Sequence, residues 1–396
     1  MTPAERLLIA VLTAIQVLHL TDFVIMMPLG PQLMRVFTIT PAQFGLLVSS
    51  YTFAAAVGGL IGSLVIDRFD RKRALLALFA GFTLANAACA LAPDYPALMG
   101  ARILAGGFGG VLGAMLFAIV GDYVAPQRRG QATGILMAGF SIASVAGVPA
   151  GLWLAAHWSW QVPFAALGGL SLVVWLLAAA ALPPMRLHLV AGERPAPVAV
   201  LRDVLRQPNH WRAFALTIAM MFAGFSVIPF VSPFLVANLG LTEHHLPLVY
   251  LLGGICTVVT SPWIGRLVDR HGAVRMFTIV AGLSLIPILG LTHLESIGEV
   301  ALLAVTTVFV VLVSGRFVPA MTLVTGSAAP HQRGAFMAVN SSLQSLASGL
   351  AASAAGLIIA RPDPTGPLLH YGVVGILAAG ATVVAMLLAT RVVQRS

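Results

Sequence analysis

The chain has 396 residues, 59% of them hydrophobic and only 9% charged, which excludes a water-soluble globular protein, whose residues are about a quarter charged. A mean hydropathy of +0.96 makes lipid the solvent, and a span of roughly 20 residues plus a connection leaves room for on the order of a dozen helices. The net charge of +9 would suggest nucleic acid in a soluble protein, so the placement of the 22 basic residues has to decide its meaning.

In chain order, apolar runs predict spans near 7–29, 42–66, 74–92, 97–124, 131–156 and 162–183, then near 212–237, 247–268, 274–293, 299–328, 335–360 and 370–390. The runs are continuous rather than alternating, which argues against a β-barrel. The first run lacks a small-residue cleavage site and leads into another span, so it reads as a retained helix and not a signal peptide. The expected architecture is an all-α polytopic membrane protein with 12 transmembrane helices in two six-helix bundles, residues 1–183 and 212–396. Residues 184–211 form the longest polar stretch and read as a cytoplasmic linker, with Pro183, Pro184, Pro195 and Pro197 interrupting it. Within it Val198, Leu201, Val204 and Leu205 share a helical face opposite Arg202, Asp203 and Arg206. That pattern fits a helix on the inner membrane surface or a solvated linker helix equally well.

With the N-terminus inside, 18 of the 22 basic residues face the cytoplasm; Arg35 and Arg361 fall in outer loops, and Arg102 and Arg316 lie within spans. The basic balance is therefore topology and not a nucleic-acid footprint, and both termini are expected to be cytoplasmic. Twenty-one of the 22 are Arg, a usage that hints at a GC-rich bacterial genome and hence a bacterial inner membrane. Cys89 and Cys256 lie inside spans and read as small buried hydrophobes. His244 and His245 stand in an outer loop with no further ligands nearby, and no Walker loop or nucleophile elbow occurs, so neither an enzyme, a metal nor a cofactor is expected.

The cytoplasmic loops carry an internal repeat. Asp67-Arg68 and Arg73 recur as Asp269-Arg270 and Arg275, both at an offset of 202, and Ala125-Pro126 with Arg129-Gly130 recurs as Ala329-Pro330 with Arg333-Gly334 at 204. Pro28 and Pro31 near the end of the first span answer to Pro229 and Pro233 in the seventh. The chain thus reads as two six-helix halves in parallel. The loop Ser63 to Arg73, with its weaker copy Gly265 to Arg275, resembles the GxLxDRxGRR loop of the major facilitator superfamily. The resemblance extends over essentially the whole chain. Ser63 and Asp70 replace two of the family's glycines; an Asp tolerates a left-handed turn better than most residues, so the turn is expected to survive at Asp70. The resemblance implies a cytoplasmic gate with salt-bridging roles for Asp67, Arg68 and Arg71, and Asp269 and Arg270 repeat the Asp-Arg pair. Asp122, closing the fourth span beside that loop, is expected to join it as a gate salt bridge.

Positions where the repeat fails point to transport chemistry. Asp22 lies within the first span and faces Ala223 at an offset of 201, and an intramembrane acid costing about 2.5 to 3.5 kcal/mol is a functional hypothesis by default. His19, three residues earlier on the same face, could share the proton or be an ordinary buried polar His. Arg102 sits at a similar depth in the fourth span, and equal depth permits a contact with Asp22. By resemblance, Arg102 with Gly106 matches the family's RxxxG, which implies a role in proton coupling; a snorkelling Arg is the other reading. Gly139 and the run Gly147-Val-Pro149-Ala-Gly151 in the fifth span, with no proline at the matching place in the eleventh, resemble the family's antiporter motif; helix packing explains the glycines equally well.

Arg316, near mid-depth in the tenth span, could bind an anionic or hydroxyl-rich substrate or neutralise an acid. In the eleventh span Asn340, Ser341, Gln344, Ser345 and Ser348 form a polar stripe that could bind a ligand or bond between helices. Met26, Met220, Met221, Phe222 and Phe225 read as adaptable pocket or core. The wording of spans one and five looks most like the 12-span drug and sugar efflux branch, including arabinose-efflux permeases. The leading expectation is a monomeric proton-coupled exporter, with protons, a small molecule and the lipid bilayer as partners. A symporting importer and a non-transporting receptor or scaffold are the alternatives.

Overall fold

The structure is a computed structural model that describes residues 2–185, 197–329, 332–363 and 366–394, with side chains for all of these except residues 4, 63, 64, 67 and 197–201. Helices run in the order α1 Pro3–Ile25, α2 Gly30–Val36, α3 Pro41–Val65, α4 Arg71–Ala90, α5 Tyr95–Tyr123, α6 Arg129–Ile142, α7 Val148–His157 and α8 Gln161–Ala181. They continue as α9 Pro197–Arg206, α10 Pro208–Phe225, α11 Ile228–Ala237, α12 Leu246–His271, α13 Ala273–Thr292, α14 Glu299–Gly315, α15 Phe317–Gly326, α16 Arg333–Ile358 and α17 Tyr371–Ala389. The one β feature among the described residues is an isolated bridge between Ala360 and Leu369. Only helices satisfy every backbone hydrogen bond within one lipid-exposed segment, and this chain follows that rule.

Eleven helical stretches among the described residues are long and apolar enough to cross a membrane, with α6 and α7, α10 and α11, and α14 and α15 each counted as one stretch. The twelfth span is α16, whose 26 residues suffice in length but whose polar stripe lowers its hydropathy. Several spans are interrupted where the sequence reading drew them whole. The first helix stops at Ile25, and α2 resumes with Pro31 at its second position, where a missing N–H costs nothing; Pro229 occupies the same place in α11. In the fifth span a π-helical turn, Ala143–Gly147, separates α6 from α7 just before Pro149.

By contact density the chain forms two compact units: Met1–Met26 with Ser50–Arg194, and Met27–Ser49 with Pro195–Ser396. In the first unit close packing rests on glycines. A Cβ on Gly106 or Gly110 of α5 would meet the carbonyl oxygens of Tyr51 and Ala55 on α3, and one on Gly58 would meet the Gly107 carbonyl. Small residues four apart let two backbones approach, which replaces the hydrophobic drive that lipid removes.

The turn before α4 departs from expectation. Asp70 is not left-handed: its φ is −53°, and its carboxylate caps α4 by accepting from the amides of Lys72 and Arg73. A free helix N-terminus needs an acceptor, and a carboxylate there serves better as a cap than as a turn residue. At the repeat position the second unit has Gly272 with φ +85°, ending α12 and starting α13 without a side-chain cap. One joint between helices is thus made in two ways.

The second unit includes α2 and the first part of α3. Phe44 packs edge-to-face on Phe230 at 5.7 Å, and the Ser49 hydroxyl lies 2.6 Å from the Gly349 carbonyl oxygen and accepts from Ser353 at 2.7 Å. Arg35 donates two hydrogen bonds to Glu243, at 2.5 and 3.1 Å. The linker reading of 184–211 falls in part on residues 186–196, outside the described residues, as does Pro330 of the repeat; α9 forms from Pro197, with Val204 buried and Leu205 exposed. Replacing Gly106 or Gly110 by Ala is expected to lower stability by about 1–3 kcal/mol each through overpacking. Gly121→Ala, where a Cβ meets nothing within 4 Å, should be neutral; thermal unfolding of the purified variants in detergent checks the contrast.

Candidate functional site

Asp22 and Arg102 meet in the first unit. Nη1 of Arg102, on α5, donates to Oδ1 of Asp22, on α1, at 2.7 Å, with Asp22 0% and Arg102 1% exposed. The guanidinium also lies 4.5 Å from the centroid of the Tyr51 ring and 5.9 Å from that of Phe164. Aromatic faces supply a cation with electrostatic contact beyond that of its acid. The pair is nevertheless half-satisfied: Oδ2 of Asp22, Nε of Arg102 and the Tyr51 hydroxyl have no hydrogen-bond partner. Withdrawal from water costs several kcal/mol per ion, and one short hydrogen bond with spare lone pairs does not fully offset it.

Glycines bring α1 to this place. A Cβ on Gly147 would collide with Thr21 and one on Gly151 with Ile25, so these two residues, four apart, seat the fifth span against the turn of α1 that carries Asp22. Pro149 is buried between them. A Cβ on Gly109 would lie 2.6 Å from the Tyr51 hydroxyl and 2.9 Å from Nε2 of His19. His19 stands edge-on to Phe82 at 5.8 Å, and its Nδ1 has no partner. Thr13 Oγ1 and Gln16 Oε1 are likewise buried without partners. Thr13, Gln16, His19 and Asp22 recur every three residues, so each is a neighbour of the next while the series winds around α1, a polar pattern that was readable from spacing but missed.

The loop residues divide. Nε of Arg71 donates to Oδ2 of Asp122 at 3.1 Å, so these two of the expected gate residues are brought together. At the repeat offsets the second unit has Ala273 and Gly326, and this ion pair has no copy there. Arg68 is exposed and lines an open depression of about 580 Å³ with Phe69, Arg73 and Leu78; the Asp67 side chain is outside the described residues. Asp269 and Arg270 are exposed in the last turn of α12 and form no ion pair among the described residues. Arg128 donates to Glu5 at 2.9 Å, a contact across 123 residues that the sequence reading did not anticipate.

Of the expected cavity residues, Met26 belongs to the first unit and is 1% exposed. In the second unit, Asn340 accepts a hydrogen bond from Thr217 of α10 at 2.8 Å, so at this position the stripe joins two helices. Gln344 and Phe225 are half-buried, and Phe225 packs against the core containing Met220 and Met221. Arg316 is 3% exposed and donates to Thr382 Oγ1 at 3.2 Å.

Arg102→Leu is expected to destabilise the protein by about 3–5 kcal/mol, because it leaves a buried carboxylate without its cation. The double variant Asp22→Asn, Arg102→Leu should recover most of that loss. A double-mutant cycle on thermal unfolding measures the coupling.

Comparison with known proteins agrees with this architecture. The model of the Major Facilitator Superfamily matches residues 12–352 and 213–396. The chain is 26% identical over 367 residues to the inner membrane transport protein YdhP of Escherichia coli, covering 91% of this chain and 90% of that one. It is 25% identical over 354 residues to the MFS-type transporter YceJ of Bacillus subtilis, covering 89% and 88%. Its fold resembles those of a D-xylose-proton symporter, with a TM-score of 0.78, 16% identity and 96% of each chain covered, and the nucleoside transporter NupG, with 0.79, 13% and coverage of 99% and 100%. With eleven helical stretches among the described residues long and apolar enough to cross a membrane and a family match along its length, the chain belongs to the Major Facilitator Superfamily and is a multi-pass membrane transport protein.

Proposed function

We propose that this protein is a proton-coupled exporter of small molecules, such as drugs or sugars, that works as a monomer by alternating access in a bacterial inner membrane with both termini cytoplasmic. The reading divides the chain into bundles 1–183 and 212–396 joined by the linker 184–211. The observation that carries it is the buried Asp22–Arg102 pair, bonded at 2.7 Å through one of the two carboxylate oxygens and answered in the other half by Ala223. An unequal acid lets two similar halves respond differently to a proton. Protonation of Asp22 discharges the carboxylate and releases Arg102 from it; deprotonation restores the attraction. His19, one turn away, tunes this exchange. Each proton moving down 100 mV supplies about 2.3 kcal/mol, enough for a substantial substrate gradient.

Export is favoured by Gly147, Pro149 and Gly151, which resemble the antiporter motif and sit against the turn that holds Asp22. Arg71 with Asp122 forms part of the cytoplasmic gate, together with Asp67, Arg68, Asp269 and Arg270. Met26, Phe225, Arg316, Asn340 and Gln344 belong to the substrate path. The test is a resistance and sugar-efflux screen in bacteria lacking their own pumps, followed by uptake into everted vesicles. Wild type should raise tolerance to at least one compound and concentrate it in energised vesicles, and Asp22→Asn should abolish both. Accumulation in intact cells but not in everted vesicles would replace export by import, and equal tolerance to every compound would sink the exporter reading.

A further inference from the structure

We propose that Arg316 is an anion-binding residue of the second unit and takes the carboxylate or sulfonate group of a small organic acid that the protein carries. The assignment deepens the transport reading above and rests on it. Arg316 lies at the junction between α14 and α15, where the tenth span is interrupted in mid-course. It is 97% buried by its 3% exposure, yet among the described residues no carboxylate pairs with it. The described acids of this unit explain why. Glu243 pairs with Arg35 and Glu299 with His245, while Asp203, Asp269, Glu295 and Asp363 lie on α9, at a helix end or in loops. Arg102 in the first unit shows the contrasting case, a buried guanidinium with its acid beside it.

A guanidinium stays protonated at any physiological pH, so burial cannot be relieved by losing the charge. Among the described residues its guanidinium donates to Thr382 Oγ1 at 3.2 Å, a neutral acceptor whose own proton goes to the Ala378 carbonyl at 2.8 Å. The Nη2 side faces Gly224 on α10, where a Cβ would stand 3.2 Å away, so the glycine brings backbone and not a side chain of its own against that edge of the fork, with Ile228 Cδ1 close by. Gly224 precedes a second interruption, between α10 and α11, and next to it the Ser226 hydroxyl, 3% exposed, has no partner. Two broken helices with an unneutralised cation and an unpaired hydroxyl form the kind of place where membrane transporters hold a charged substrate group. The planar fork suits a carboxylate or sulfonate, which accepts two parallel N–H bonds. Met220, Met221 and Phe225 nearby on α10 suit an apolar body, which favours an organic acid over an inorganic ion.

The experiment is titration calorimetry on the purified full-length chain in lipid nanodiscs. The probes are benzoate, salicylate and benzenesulfonate, with benzamide, salicylamide and benzenesulfonamide as neutral counterparts and inorganic phosphate as a further probe. At least one organic anion should bind wild type ten-fold or more tighter than its amide. Arg316→Gln should erase that difference, Arg316→Lys should keep part of it, and Asp22→Asn should leave it unchanged. Equal binding of acids and amides across the set, binding of phosphate alone, or full anion preference in Arg316→Gln would each overturn the assignment. If Arg316→Gln does not fold, the wild-type comparison and Arg316→Lys still decide. An Asp22→Asn variant that keeps efflux while binding anions normally defeats the proton-coupled reading and leaves this one standing.

Discussion

An ionised group in hydrocarbon must find its partner inside the protein, and the contact between Asp22 and Arg102 meets that demand at the centre of the first unit. Much of the local packing serves it. Arg102 reaches α1 because α5 approaches α3 through Gly106 and Gly110, and α1 is in turn seated by Gly147 and Gly151. Tyr51, whose carbonyl lies against Gly106, also puts its ring against the guanidinium. A side chain larger than hydrogen at these positions would change both the distance between helices and the geometry of the charges. Packing and electrostatics are therefore one problem here, and Asp22 keeps a second carboxylate oxygen without a partner among the described residues.

The two halves of the repeat solve similar problems with different chemistry. Where the first turns between helices with an Asp70 cap, the second uses Gly272 at φ +85°. Where the first has Arg71 bonded to Asp122, the second has Ala273 and Gly326. The first unit pairs its buried arginine, whereas Arg316 in the second is held by a hydroxyl. Duplication accounts for the helices; divergence at a few polar positions accounts for two bundles of unequal electrostatic character.

Helix number and the special standing of Asp22, Arg102 and Arg316 were legible because lipid tolerates few charges, and each exception stands out in an apolar run. Residue spacing even placed Asp22 and Arg102 at one depth. It gave no sign of Arg35 with Glu243 or Glu5 with Arg128, which join positions 208 and 123 residues apart and depend on how distant helices lie. The turn at Asp70 was misread because the family's glycine suggested a left-handed residue, while the competing demand, a cap for α4, came from the helix itself. The polar series Thr13, Gln16, His19 and Asp22 was visible in spacing alone, but which of its atoms are buried without a partner among the described residues was not.

The amino-acid sequence by itself determined the solvent, the number of spans, the repeat and the family, because hydropathy and charge placement act residue by residue and need no neighbours. Only the tertiary structure decided which charges pair, which glycines are contacts and which helices break. Those outcomes depend on distances of a few ångströms between segments far apart in the chain. Asp22 with Arg102 at 2.7 Å and Arg316 with no acid beside it among the described residues are the two cases in which that difference stands out most.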